Sequence, residues 1–344
     1  MLRLGRSFVG PVFDSLWIGG AITLPVSAWL LLDGRSAVQL LGLSLPLLVL
    51  FVNQAHFAAS TLRLYTKPGA VESHPLLAYA LPIVTFAVLA AAVASPAGLG
   101  RQIWALAMTW SPYHYAAQAF GLASMYCYRS GLALAPRERL LLRWACLMPF
   151  FRSLLGGAAS GLGLGWILPS AWLGEPHVAQ AVVLGVGILD VLVFALPALF
   201  FAVASRGARA SGGVPLLALL PVLANGSWFV LFDALNAFVW ATVFHGIQYL
   251  AVVSIFHARE QRALPGNARG PFFHVAAFYV GCVALGYALF QCWPRAAVAA
   301  GFGIVESTFL VVAIVNVHHF IVDAYIWRLR RDPNYGTVMA ANPA

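Results

Sequence analysis

Residues 297–327 read AVAAGFGIVESTFLVVAIVNVHHFIVDAYIW, a long apolar stretch without lysine or arginine that nevertheless contains Asn316, His318, His319 and Asp323. A helix needs roughly 20 apolar residues to cross the hydrocarbon core of a bilayer, so this stretch is long enough to span one. Imidazole and carboxylate are costly in hydrocarbon, and polar side chains at such depth usually face a bundle interior and mark function. Asn316, His319 and Asp323 recur at helical spacing, so they share one face of the helix.

Working outward, similar stretches fall near residues 11–32, 37–62, 76–95, 102–127, 139–163, 177–203, 214–231, 234–257 and 271–291, which with 297–327 make about ten spans. The 344 residues are 61% hydrophobic and only 9% charged, with a mean hydropathy of +0.84, which excludes an ordinary soluble domain. The expected fold is all-α: one polytopic integral membrane domain over residues 1–344 with a short cytoplasmic tail from about residue 328. No Ser/Gly linker, low-complexity tract or internal repeat divides it. The weakly basic start resembles a signal peptide until Asp14 interrupts the apolar run, so the segment reads as a retained first helix. Cys127, Cys146, Cys282 and Cys292 show no CxxC spacing and read as packing residues.

The net charge of +9 does not point to nucleic acid, because the basic residues are dispersed through short loops. Arg3 and Arg6, Arg63 and Lys67, Arg129 to Arg143, Arg206 and Arg209, Arg259 to Arg269, and Arg328 to Arg331 fall at alternate ends of the spans. The opposite ends hold only Arg35, Arg101 and Arg295, so the positive-inside rule puts both termini in the cytoplasm. Ser153, Gly157, Gly161 and Gly165 recur every four residues and predict a small-residue strip for close helix approach.

Histidine is the chemical signal. His56, His114, His245 and the pair His318–His319 lie inside four spans that should run in the same direction. Counted back from the basic residue ending each span at ~1.5 Å per residue, His56 and His319 lie about 10 to 14 Å deep, and His114 and His245 about 21 to 22 Å. Each belongs to a polar stripe: Asn53, His56 and Ser60; Ser111, His114 and Gln118; Thr242, His245, Gln248 and Tyr249; Asn316, His319 and Asp323. Such stripes avoid lipid and should face one another around a polar centre.

Imidazole is the commonest metal ligand, and metal-bound imidazoles need neighbouring acceptors to fix their tautomers; Asn53, Gln118, Gln248 and Asn316 are candidates. Imidazole-rich sites suit iron, copper or zinc, and the lack of nearby thiolates argues against iron–sulfur and structural zinc. Iron(II) with open positions would suit oxygen chemistry, with Asp323 a ligand or an orienter of His319 and Tyr249 a hydrogen-bond donor. Elsewhere, His74, His177, His257 and His274 read as loop or interfacial residues. Arg152 and Asp190 could pair inside neighbouring spans, and Asp14 and Glu306 either line a cavity or reach the interface. Two other functions fit the same residues: a proton-coupled transporter relaying protons through His, Asp and Arg, and a non-catalytic metal- or haem-binding membrane protein.

His56-Phe57, Phe244-His245, and His318 followed five residues on by Asp323 and then Arg328 resemble segments of the bacterial Brp/Blh-type membrane carotene dioxygenases in order and helix context, over about a fifth of the chain. The resemblance implies a multi-pass protein of the bacterial inner membrane that uses histidine-bound iron to split beta-carotene into retinal. That family also has a histidine in its first span and two histidines four apart in the late span. Here the first span has none and the late span has His245 and Tyr249, while His114 has no counterpart. A related subfamily acting on another apolar lipid is the parallel implication. Membrane desaturases need HxxxH and HxxHH boxes, which this chain lacks.

Overall fold

The computed structural model describes residues 2–33, 39, 42–207, 213–231, 234–327 and 338. Arg35, Arg209, Asp233, the arginines from 328 to 331 and the expected tail lie outside the described residues. What is described is almost entirely helical. The one β pairing joins Leu2–Arg3 to Val214–Pro215 in parallel. The longer helices are α1 (Pro11–Ile18), α2 (Thr23–Asp33), α3 (Leu45–Thr66), α4 (Leu76–Ala94), α5 (Arg101–Arg129), α6 (Pro136–Gly156), α7 (Pro176–Gly207), α8 (Leu216–Leu231), α9 (Ala234–Arg262), α10 (Pro271–Ala299) and α11 (Ile304–Ile326).

Among the described residues six helices are long and apolar enough to cross a membrane, the mark of an integral membrane protein: α3, α4, α7, α9 from Asn236, α10 and α11. A seventh is reached if α1 and α2, bent by 49° at their junction, count as one span. This falls short of the ten expected, for identifiable reasons. In α5 the polar residues around His114 lower the hydropathy, and α6 carries Arg137, Glu138, Arg139, Arg143 and Arg152. At 16 residues α8 is about 24 Å long, less than the ~30 Å core.

The chain divides into two compact units, one formed from Met1–Gly42, Thr109–Gln248 and Val338–Ala344, the other from Leu43–Met108 and Tyr249–Thr337. In the first unit α6 packs along α7, and α8 packs against both and against α2. Its core gathers Leu30, Trp228, Phe229, Trp240 and Phe244, and the Trp228 indole donates to Thr23 Oγ1 at 2.7 Å. Asp14 is wholly buried and accepts from the backbone N–H groups of Phe8, Val9 and Gly10 and from Tyr126 Oη at 2.8 Å, so it ties down the entry to α1. The expected Arg152–Asp190 pair forms at 2.9 Å between α6 and α7.

The small-residue strip is corrected. Helix α6 stops at Gly156, a 3-10 turn follows over Gly157–Ser160, and Gly161 and Gly163 take positive φ of 70° and 55°. A Cβ on Gly163 would run into the Leu154 carbonyl, and one on Gly165 into that of Ala158. The glycines therefore let the chain fold back on its own helix instead of receiving another one.

In the second unit α10 and α11 flank α3, and α4 packs on α11. Phe57, Leu89, Phe290, Leu310 and Ile314 form one apolar cluster; Ala55, Ala59, Tyr249, Val253, Phe278 and Cys282 form another. Gly286 marks the closest approach of α10 to α3, since a Cβ there would stand 2.8 Å from the Gln54 carbonyl. Arg63 is wholly buried and pairs with Glu260 through bonds of 2.8 and 3.1 Å, while its guanidinium lies 4.7 Å from the Trp327 ring centroid.

Candidate metal centre

Four buried histidines stand in two pairs, His56 with His319 in the second unit and His114 with His245 in the first. The depths counted from the sequence sort them into the same pairs.

In the second unit, His56 on α3 and His319 on α11 have ring centroids 4.7 Å apart and nearly perpendicular rings. Nδ1 of His56 lies 3.0 Å from the Asn53 backbone carbonyl. A carbonyl can only accept, so Nδ1 carries the proton and Nε2 presents its lone pair. Nδ1 of His319 lies 2.9 Å from Ser60 Oγ, whose own proton goes to the Phe57 carbonyl at 3.1 Å. With that proton committed, Ser60 accepts from His319 Nδ1. Asn53, predicted to orient His56, does so through its main chain and not its amide.

Asp323 stands one turn beyond His319, with Oδ2 3.5 Å from His319 Nε2. Tyr249 donates to Asp323 Oδ1 at 2.7 Å, and the Trp327 indole donates to Tyr249 Oη at 3.4 Å. The contact of Asp323 with His319 expected from their shared stripe is therefore present. His318, also expected as a ligand, is buried on the same helix but about 100° around it from His319. Asn316 is buried on the same helix.

In the first unit, His114 on α5 and His245 on α9 have ring centroids 4.9 Å apart. The Tyr115 ring packs on His245 at 4.6 Å, held by its hydroxyl against Thr242 Oγ1 at 3.0 Å. Gln118 donates to the His245 backbone carbonyl at 3.3 Å and to Gln248 Oε1 at 3.5 Å. Both glutamines were expected to orient imidazoles; instead they tie α5 to α9. Gly20, at the break between α1 and α2, has φ of 74°, and a Cβ there would stand 2.6 Å from Gln248 Nε2.

The remaining histidines separate from these. His177 is exposed, and His74 sits over the Ala70 carbonyl at 3.3 Å. His257 and His274, expected in solvated or interfacial roles, are buried: His257 stacks on Phe278 at 4.4 Å, and His274 Nε2 meets Asn267 Nδ2 at 3.1 Å. Glu306 is exposed in the first turn of α11, and with Asp14 committed to the backbone neither acid lines the centre. The sequence placed Ser60 on the correct stripe but assigned it no role, because nothing local to residue 60 shows that its partner is 259 residues away.

No family model, curated protein or solved structure matches the chain.

Proposed function

We propose that this chain is an iron-dependent membrane oxygenase acting on an apolar lipid or carotenoid, with buried histidines holding the metal. The observation that carries the reading is the pair in the second unit: two buried imidazoles whose Nδ1 protons are fixed by the Asn53 carbonyl and Ser60 Oγ, so that both offer Nε2. Metal-bound histidines are oriented in this way, and such fixing also raises their basicity as ligands. The first unit supplies a second buried pair, His114 and His245.

Each pair, His56 with His319 and His114 with His245, offers imidazoles for an ion, and bound iron(II) would supply oxygen activation. Asp323 and Tyr249 hold a proton between Oδ1 and Oη beside it. The apolar helices around the histidines favour a substrate arriving from the bilayer, and the proposed setting is a bacterial inner membrane. The resemblance to the carotene dioxygenases names the first substrate to try.

The test has two parts. Detergent-purified protein prepared without chelators should carry stoichiometric iron, and replacing His114, His245 or His319 by Ala should remove most of it while His74→Ala does not. Cells making beta-carotene and expressing the chain should lose colour and accumulate retinal. Persisting carotene with oxygen uptake on another lipid would reassign the substrate. Metal-free protein that moves protons across vesicles would replace the enzyme with a transporter, for which the Tyr249–Asp323–His319–Ser60 series would be the relay.

A further inference from the structure

A groove of about 440 Å³ runs between α3 and α10, with Leu50 and Phe51 on one side and a stripe of α10 from Tyr279 to Tyr287 on the other. Both helices are long and apolar enough to cross a membrane, and both lie in the second unit. Leu50 and Phe51 belong to the π-helical segment Val49–Gln54. On α10, Ala284 stands four residues after Val280 and three before Tyr287. Residues at those spacings are neighbours on a helix surface, so its single methyl group leaves a hollow between two bulkier side chains.

The chemistry and size of the groove select its occupant. The Tyr279 hydroxyl donates to the Phe51 carbonyl at 2.8 Å, which satisfies a backbone group that lipid could not. Ordered water needs several polar partners, which walls of Leu, Phe, Val, Ala and Tyr do not provide. The stripe from Tyr279 to Tyr287 rises ~12 Å. The volume therefore corresponds to a cross-section of roughly 40 Å², about half that of a helix 10 Å across. An extended hydrocarbon chain fits that section and a second helix does not.

The groove also lies close to chemistry. Its residues Tyr279 and Val283 pack against the buried cluster of Ala55, Tyr249, Phe278 and Cys282. Within that cluster the Tyr249 ring meets the His56 ring edge-on at 5.5 Å.

We propose that the groove between α3 and α10 holds the hydrocarbon chain of a lipid drawn from the bilayer, one layer of side chains away from His56. The docking goes beyond the oxygenase reading, because it needs no metal. Under that reading it marks where the chain of the apolar substrate lies.

The experiment places the full chain in phosphatidylcholine vesicles containing a little phosphatidylcholine with a diazirine on its palmitoyl chain. After irradiation, the labelled positions are mapped by mass spectrometry. Labelling at Phe51 and along Tyr279–Tyr287 should exceed by several-fold that on the face of α4 where Ile83, Val84 and Phe86 are exposed. Ala284→Trp fills the hollow and should bring groove labelling down to the level of α4, whereas Val84→Trp should leave it unchanged. If Ala284→Trp does not fold, Ala284→Leu should show the same loss in smaller measure. Equal labelling of both faces in the wild type, unchanged groove labelling in a folded Ala284 variant, or cross-links between two copies through the groove would overturn the proposal. Selective groove labelling of a chain that binds no iron would keep the docking site and overturn the oxygenase, and an iron-bound chain without selective labelling would do the reverse.

Discussion

Ser60→Ala removes one oxygen and leaves the packing almost unchanged, so it isolates the orientation of His319. Ser60 is wholly buried, and its Oγ is the 2.9 Å partner of His319 Nδ1. Without it the Nδ1 proton has no acceptor at that position, and the ring is free to adopt the other tautomer, which places a proton where the metal should bind. Losing such an orienting partner typically costs 10–100-fold in metal affinity, or about 1.4 to 2.8 kcal/mol. Metal-free stability should fall by only about 0.5–1.5 kcal/mol, the net worth of one hydrogen bond. The assay is competition with a chelator of known affinity, alongside thermal unfolding of the metal-free protein. Ser227→Ala is the control, since Ser227 is buried in the first unit and donates to the Ala224 carbonyl at 2.8 Å. Ser60→Ala with wild-type affinity, or equal affinity losses in both variants, would refute the tautomer argument on which the centre depends.

Two further outcomes test the frame around the site. Gly20→Ala should lower stability by about 1–3 kcal/mol, since φ is 74° and the new Cβ would meet Gln248 Nε2 at 2.6 Å, whereas Gly69→Ala, at φ of 71° with open space around it, should cost only about 1 kcal/mol; equal thermal shifts would remove the packing argument. Reporter fusions after Arg331 and in the loop holding Arg137 should report the same, cytoplasmic side, because basic residues are enriched in both; opposite sides would mean an odd number of spans between them.

The sequence made the helices and their polar stripes legible because both follow from periodicity along one segment. Depth arithmetic even grouped His56 with His319 and His114 with His245, the pairs whose rings lie 4.7 and 4.9 Å apart. What it could not supply was the partner of each polar group. Asn53 acts through a carbonyl that any residue would provide, and Gln118 and Gln248 bind each other and the backbone. Among the described residues six helices meet the length and hydropathy of a span where ten were expected, since α8 is short and α6 is charged. The glycines after α6 were misread for a related reason: a four-residue repeat signals a helix face only while the helix continues, and Gly161 and Gly163 break it with positive φ.

The arrangement of breaks bears on whether these residues hold an ion or pass a solute. Secondary transporters with inverted repeats carry broken helices in corresponding positions of their two halves, and the unwound ends form the binding site. Here the bend between α1 and α2 belongs to the first unit, and its turn at Gly20 abuts Gln248 rather than a histidine ring. Among the described residues no helix pair of the second unit is bent in the same way. Its histidines stand on continuous helices: His319 and Asp323 lie within α11, and His56 follows directly on the π-helical segment Val49–Gln54 of α3. A π-helical turn shifts the faces of the helix beyond it without ending the helix, and such turns are frequent at functional sites. Donor atoms held on packed helices, with their tautomers fixed by Asn53 and Ser60, suit ligation that must remain precise through many turnovers. Alternating access would require the same contacts to break in every cycle. The continuous helices of the second unit therefore favour a resident ion over a moving solute.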